Sequence, residues 1–145
     1  MINKNQSTRR QVLKAALGGA ALASAPAFIR SAGAASEFKI GLFIPLSGPA
    51  ALFGPSAKNC GELAIDVVNE SGGVLGRKAK LYIADAGVPP AEAAKSAMRL
   101  MLSENVDLMV GNHDSAVRQA IVGAVKGRVP YVYSPVYEGG ECSPN

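Results

Sequence analysis

The run Asn112-His113-Asp114-Ser115 gathers an amide, an imidazole, a carboxylate and a hydroxyl in consecutive positions. Serine, histidine and aspartate can serve as nucleophile, base and orienter in acyl transfer. Adjacent residues rarely converge on one point, however, and no Gly-x-Ser-x-Gly elbow presents the serine. A binding chemistry suits the run better. Ser115 stands where a helix begins, so its hydroxyl and the free N–H groups of the first turn suit a carboxylate or carbonyl oxygen. Ser115 also suits a plain N-cap, and one residue can do both. His113, the single histidine of the chain, reads as a solvated turn residue. Cys60 and Cys142 lack the spacing of a metal-ligand cluster. Gly72, Gly73 and Gly76 match neither a P-loop nor a dinucleotide fingerprint. Met98, Met101 and Met109 fit core positions, as do Tyr131 and Tyr133 on a strand. No cofactor and no metal are called for.

The elements around this run alternate. Lys39 to Leu46 reads as a strand whose near-continuous apolar run, Ile40, Leu42, Phe43 and Ile44, suits burial on both faces. Pro45, Gly48, Pro49 and Gly54 make a loop. A helix is predicted over Ser56 to Glu70, with Cys60, Ala64, Val67 and Val68 inward and Lys58, Glu62 and Asp66 outward at i, i+4. Gly72-Gly73 should close it in a left-handed cap. A strand over Ala79 to Asp85 follows. Pro89-Pro90 then opens a helix over Ala91 to Ser103, since proline suits a first turn. Val106 to Val110 is a third strand. Ser115 to Lys126 is a third helix, with Val117, Ala120, Ile121, Ala124 and Val125 at helical period. Val129 to Tyr133 is a fourth strand. The order β-α-β-α-β-α-β predicts an α/β fold, a parallel sheet with helices on both faces. Ligands of such sheets bind beyond the carboxyl ends of the strands. The loops there are Ser47 to Pro55, Ala86 to Pro90, Gly111 to Ser115 and Ser134 to Gly140.

The first thirty-five residues stand apart from that pattern. Thr8-Arg9-Arg10-Gln11-Val12-Leu13-Lys14 precedes an apolar run from Ala15 to Ile29, and Ala32-Gly33-Ala34 offers small residues for cleavage. That is a secretory signal, and its paired arginines resemble the twin-arginine type, with the general secretory route as the alternative. The apolar run is too short to span roughly 30 Å of hydrocarbon. Cleavage is expected after Ala34 or Ala35, leaving residues 36–145 soluble in the periplasm without a stable membrane anchor. Lys4, Arg9, Arg10, Lys14 and Arg30 lie in the signal. The remaining ten basic and eleven acidic residues nearly balance, so the chain's formal charge of +4 belongs to the export signal. No clustered basic face points to nucleic acid. In an oxidising compartment a Cys60–Cys142 disulfide is permitted. The alternative is a buried Cys60 on its helix and a Cys142 whose partner lies elsewhere.

Lys39-Ile40-Gly41-Leu42-Phe43-Ile44-Pro45-Leu46-Ser47-Gly48-Pro49 with Phe53-Gly54 resembles the opening of type I periplasmic solute-binding proteins of ABC transporters. So does Ala64-Ile65-Asp66-Val67-Val68-Asn69-Glu70 leading into Gly72-Gly73-Val74-Leu75-Gly76-Arg77. The leucine/isoleucine/valine-binding and amide- or urea-binding proteins share this pattern. Tyr137-Glu138-Gly139, Glu141 and Ser143-Pro144-Asn145 are most similar to the amide and urea branch. The resemblance implies the first, incomplete part of lobe one of a two-lobed protein, an N-terminal fragment. It also implies that the protein binds a solute between lobes that close by hinge motion.

By that resemblance, Ser115 and the backbone at Val136, Tyr137 and Glu138 hold the solute's polar head, and Phe53 lines the pocket for its side chain. Glu138 serves equally as a loop cap. Asp114 near the cleft disfavours a carboxylate ligand unless it is paired or turned away. Together with Tyr137-Glu138 it favours a neutral amide, a urea-like solute or one with a cationic group. The implied role is capture of a small polar solute, an amino acid, amide or urea-like molecule, for delivery to an ABC permease, with no chemistry. A ligand-sensing receptor module of the same fold, and an exported α/β enzyme, are the competing readings. Export argues against a cytoplasmic regulator, and no nucleophile–base pair is visible for the enzyme.

Overall fold

The computed structural model describes residues 36–135 together with Tyr137 and Gly139. The expected export signal, Val136, Glu138 and Cys142 lie outside the described residues. The order is β1 (Phe38–Ile44), a 3-10 turn (Ala51–Phe53), α1 (Gly54–Glu70), β2 (Ala79–Asp85), α2 (Pro90–Arg99), β3 (Leu108–Gly111), α3 (Ser115–Val125) and β4 (Tyr131–Val132). The four strands are parallel in the order β2-β1-β3-β4. β1 is thus central and pairs with β2 along its whole length, Phe38 opposite Ala79 and Ile44 opposite Asp85.

Alternation along β1 sends side chains to opposite faces. Gly41 and Phe43 face α2 and α3, where Phe43, Leu100, Met109, Ile121 and Val125 are sealed into the core. Leu42 faces α1. The expected doubly covered parallel sheet is therefore present. The third helix keeps its predicted period, with Val117, Ile121 and Val125 buried. Met101 and Met109 are core residues and Met98 packs against them.

α1 corrects the predicted face. Cys60, Ala64 and Val67 are exposed, and the sheet meets the row of Ala57, Gly61, Ile65 and Val68 instead. The cause is Gly61, which lets the helix lie close on the strands. A Cβ there would stand 2.6 Å from the Leu42 side chain. Asn69 adds a second tie at the helix end: its amide accepts from the Ala79 N–H at 2.7 Å and donates to the Ala79 carbonyl at 3.0 Å. Lys58 and Glu62 pair outward at 2.8 Å, as their spacing predicts. The glycine cap also forms. Gly72 and Gly73 have positive φ, and the Gly73 N–H donates to the Val68 carbonyl.

Two other boundaries move. α2 stops at Arg99 and continues as a π turn, Leu100–Glu104, closed by Asn105 in the left-handed region. β3 starts only at Leu108, because the Asp107 carboxylate is engaged with the backbone of the neighbouring strand. It accepts from the Lys39 N–H at 2.8 Å and from the Arg77 guanidinium at 2.9 Å. Those two donors, the Lys39 N–H foremost, hold its carboxyl below the usual range. The amino end of the sheet is pinned there.

Candidate functional site

The carboxyl end of the sheet has its topological switch point between β1 and β3. The chain leaves β1 toward α1 on one face and leaves β3 toward α3 on the other, which opens a crevice between the two loops. Asp85, at the end of β2, fixes the first wall. Its Oδ1 accepts from the N–H groups of Leu46 at 2.9 Å, Ser47 at 3.2 Å and Gly87 at 2.8 Å. Partial burial pushes its carboxyl up, but the Ser47 hydroxyl and these three N–H groups outweigh that and hold it below the ordinary range. The loops after β1 and β2 therefore touch backbone to backbone. A Cβ on Gly87 would stand 1.8 Å from the Ser47 carbonyl oxygen.

The second wall is wound around Asn112, which is buried and has φ +75°. Its N–H donates to the Phe43 carbonyl at 2.7 Å. Its side-chain oxygen accepts from the N–H groups of His113 and Asp114, and its amide nitrogen donates to the Asp114 carbonyl at 2.7 Å. Asp114 then caps α3, its Oδ1 accepting from the Val117 N–H at 2.9 Å. The N-cap is thus Asp114, and Ser115 is the first residue of the helix. Aspartate takes the cap because Asp114 keeps the extended backbone a cap needs, φ −128° and ψ 130°. Asp114→Ala is expected to cost about 1 kcal/mol of stability, with Asp114→Asn close to wild type. Urea denaturation of the intact protein checks both.

An open cavity of about 550 Å³ lies between these walls. Phe53 and Pro49 line it from the first loop, Gly87 and Val88 from the second, His113 and Asp114 from the third. Phe53 is 60% exposed, which suits a side chain that waits for a ligand rather than filling a core. Ser115 is half-buried between Asp114 and Ala116, both of which reach the cavity wall. Tyr137 is exposed, with its ring 5.0 Å from the Arg118 guanidinium on α3. Phe53 thus shares one cavity with His113, Asp114, Ala116 and Val117, whereas Ser115 and Tyr137 do not line it. Tyr137 instead lies against Arg118, one helical turn along α3. His113 is exposed, as expected of a turn residue, and it also lines a second, apolar cavity of about 530 Å³ beside α1, which Phe53 shares. Tyr131 packs against the core, but Tyr133 lies beyond the short β4 with its ring 4.5 Å from Arg118. Cys60 is exposed on α1, not buried. Among the described residues no cluster of three or more metal-ligating side chains occurs, and no helix is long and apolar enough to cross a membrane.

This architecture is an open α/β lobe with a crevice at its switch point. Residues 37–145 match the periplasmic binding protein family, and the chain belongs to it. It is 37% identical over 113 residues to Leu/Ile/Val-binding protein homolog 7 of Brucella suis, a stretch covering 77% of this chain and 28% of that protein. It superposes on the branched-chain amino acid transporter substrate-binding protein LivJ of Streptococcus pneumoniae, solved with isoleucine. There the TM-score is 0.62 and the identity 29%, covering 68% of this chain and 28% of LivJ. A solute-binding protein of an R. palustris ABC transporter, solved with benzoate, superposes with a TM-score of 0.57 at 26% identity, over 68% of this chain and 27% of that one. The chain spans about a quarter of the length of these relatives.

Proposed function

We propose that this chain forms part of lobe one of a periplasmic solute-binding subunit, which captures a small polar solute and hands it to an ABC permease. The observation that carries this reading is the convergence of Phe53, Gly87, Asp114 and Ala116 on one cavity at the switch point, with Ser115 between the last two in the chain. Phe53 offers an apolar wall. By the family resemblance, Ser115 offers a hydroxyl to the solute's polar head, and the backbone at Val136, Tyr137 and Glu138 offers further polar contacts. Export through a twin-arginine signal over residues 1–35 places that capture in the periplasm. The protein recovered from the periplasm of its host should begin at Ala35 or Ser36 by N-terminal sequencing.

The solute class follows from charge. Asp114 keeps its carboxylate at the cavity wall, with one oxygen given to the helix cap. A ligand that is only a carboxylate sets its charge against that of Asp114, an amide or a urea-like molecule brings no charge, and a zwitterion brings a cation that offsets its own. Calorimetry on the intact protein with acetamide, urea, isoleucine and benzoate is the test. At least one of the first three is expected to bind more tightly than benzoate, and preference for benzoate would overturn the assignment. Ser115→Ala should weaken binding of the preferred solute by about 1–3 kcal/mol, the cost of leaving a buried polar group unpaired. Unchanged affinity would remove Ser115 from the site.

A further inference from the structure

We infer that Arg118 is a positioning residue for the solute cleft: its guanidinium, set against the rings of Tyr133 and Tyr137, holds these two residues beyond β4 against α3. The effect on affinity rests on the solute-binding reading above; the positioning itself does not.

Arg118 lies on α3 between core positions and is only 5% exposed. Arginine is rarely so buried without specific partners. Here the guanidinium carbon stands 4.5 Å from the centre of the Tyr133 ring and 5.0 Å from that of Tyr137. Both fall inside the roughly 6 Å reach of a cation–π contact. The flat guanidinium can stack on aromatic faces as a compact ammonium cannot. Two rings four residues apart thus grip one cation on the helix.

This grip ties residues beyond β4 to the helix whose N-terminal end lines the cavity. The Arg118 N–H donates to the Asp114 carbonyl at 2.9 Å, so the side chain projects one turn from the cap and from Ser115. Tyr137 is 53% exposed, so core packing does not set its place. On the proposed function, a solute held by both the α3 terminus and the backbone at Tyr137 needs that spacing preset, because ordering a loop on binding lowers affinity. Arg118 supplies the preset without touching the cavity wall itself.

The test uses the intact protein with carbon-13-labelled tyrosine. In Arg118→Met the Tyr137 ring signals should move to the values of a solvent-exposed tyrosine, and in Arg118→Lys they should move part of the way. Ring signals unchanged in Arg118→Met would overturn the inference. If that variant does not fold, Tyr133→Leu and Tyr137→Leu report from the other side. Each should shift the Arg118 Nε–Hε resonance by removing a ring current, and a resonance indifferent to both would be equally fatal. Binding of acetamide and isoleucine supplies the functional readout. Arg118→Met should weaken the better of the two by about tenfold, whereas adding it to Tyr137→Leu should change affinity by less than about twofold. A variant that melts earlier yet binds normally would reduce Arg118 to a packing role. If neither probe binds the wild type, the solute reading fails for these probes, and the ring signals still decide the clamp.

Discussion

Replacing Gly111 with alanine is expected to destabilise the intact protein by about 3–5 kcal/mol and to abolish solute binding. Gly111 closes β3 opposite Phe43 and has φ +108°, a conformation that residues with a Cβ rarely adopt. An added Cβ would stand 2.3 Å from the Phe43 carbonyl oxygen. That oxygen already accepts the Asn112 N–H at 2.7 Å. Neither side can give way. Phe43 is 1% exposed and locked in the core, and the Gly111 carbonyl accepts the Tyr131 hydroxyl at 3.2 Å. The methyl group must part β1 from β3 at the switch point, where the crevice begins. Gly123→Ala is the control. No atom lies within 4 Å of a Cβ there, and the site is on an exposed helix face, so this change should be neutral or stabilising by up to about 1 kcal/mol. Urea midpoints followed by circular dichroism separate the two. A Gly111 variant within 1 kcal/mol of wild type would mean that the turn is not pinned as described.

The sheet was legible in the sequence because its strands are apolar runs separated by short helices, and a right-handed crossover leaves few arrangements of such units. The third helix was legible for the same reason: one clean stripe, one buried face. α1 was not. Its sequence carries apolar residues on more than one side, and periodicity weighs side chains by hydrophobicity alone. Gly61 contributes nothing to such a stripe, yet its missing side chain decides which row meets Leu42 and Leu81. The shortening of β4 has a similar origin. Tyr133 is a good strand residue by propensity, but its ring goes to Arg118 instead.

The site divides along a comparable line. Loops beyond the carboxyl ends of parallel strands follow from topology, and the loops after β1, β2 and β3 form the cavity wall, whereas Ser134 and Pro135 of the fourth line the apolar cavity beside α1. Phe53, which the family resemblance pointed to, lines the cavity; Ser115, from the same resemblance, stands beside it without lining it. The residues that build the walls were missed, because their work is hydrogen bonding to distant backbone. Asn112 offered a faint signal, since asparagine after glycine tolerates the left-handed region. Asp85 offered another, an aspartate two residues before a glycine at a strand end. Arg118 offered none: its two rings lie 15 and 19 residues along the chain and meet it only through the fold.

Asp85→Ala is expected to cost about 3 kcal/mol at neutral pH and to loosen the first wall of the cleft. Three backbone donors converge on one carboxylate oxygen, and alanine leaves Leu46, Ser47 and Gly87 without it. Their loops are too close to admit a replacement side chain, given the contact between Gly87 and Ser47. The charge carries much of the effect, because the carboxylate form alone accepts from all of these groups, and its pKa is lowered accordingly. A carboxyl depressed in the folded state stabilises it at pH values above the unfolded pKa of about 3.9, and that stabilisation is lost as pH falls through the lower folded value. The stability gap between wild type and variant should therefore be flat from about pH 7 to pH 5 and close below about pH 4. Asp107 at the opposite end of the sheet is depressed too, by the Lys39 N–H and by Arg77, but it titrates in both proteins and cancels in the difference. A gap that persists undiminished to about pH 2 would show that Asp85 acts through shape rather than charge. Closure of the gap, with solute affinity lost over the same range, would tie the rigidity of the Ser47–Gly87 contact to the competence of the cleft.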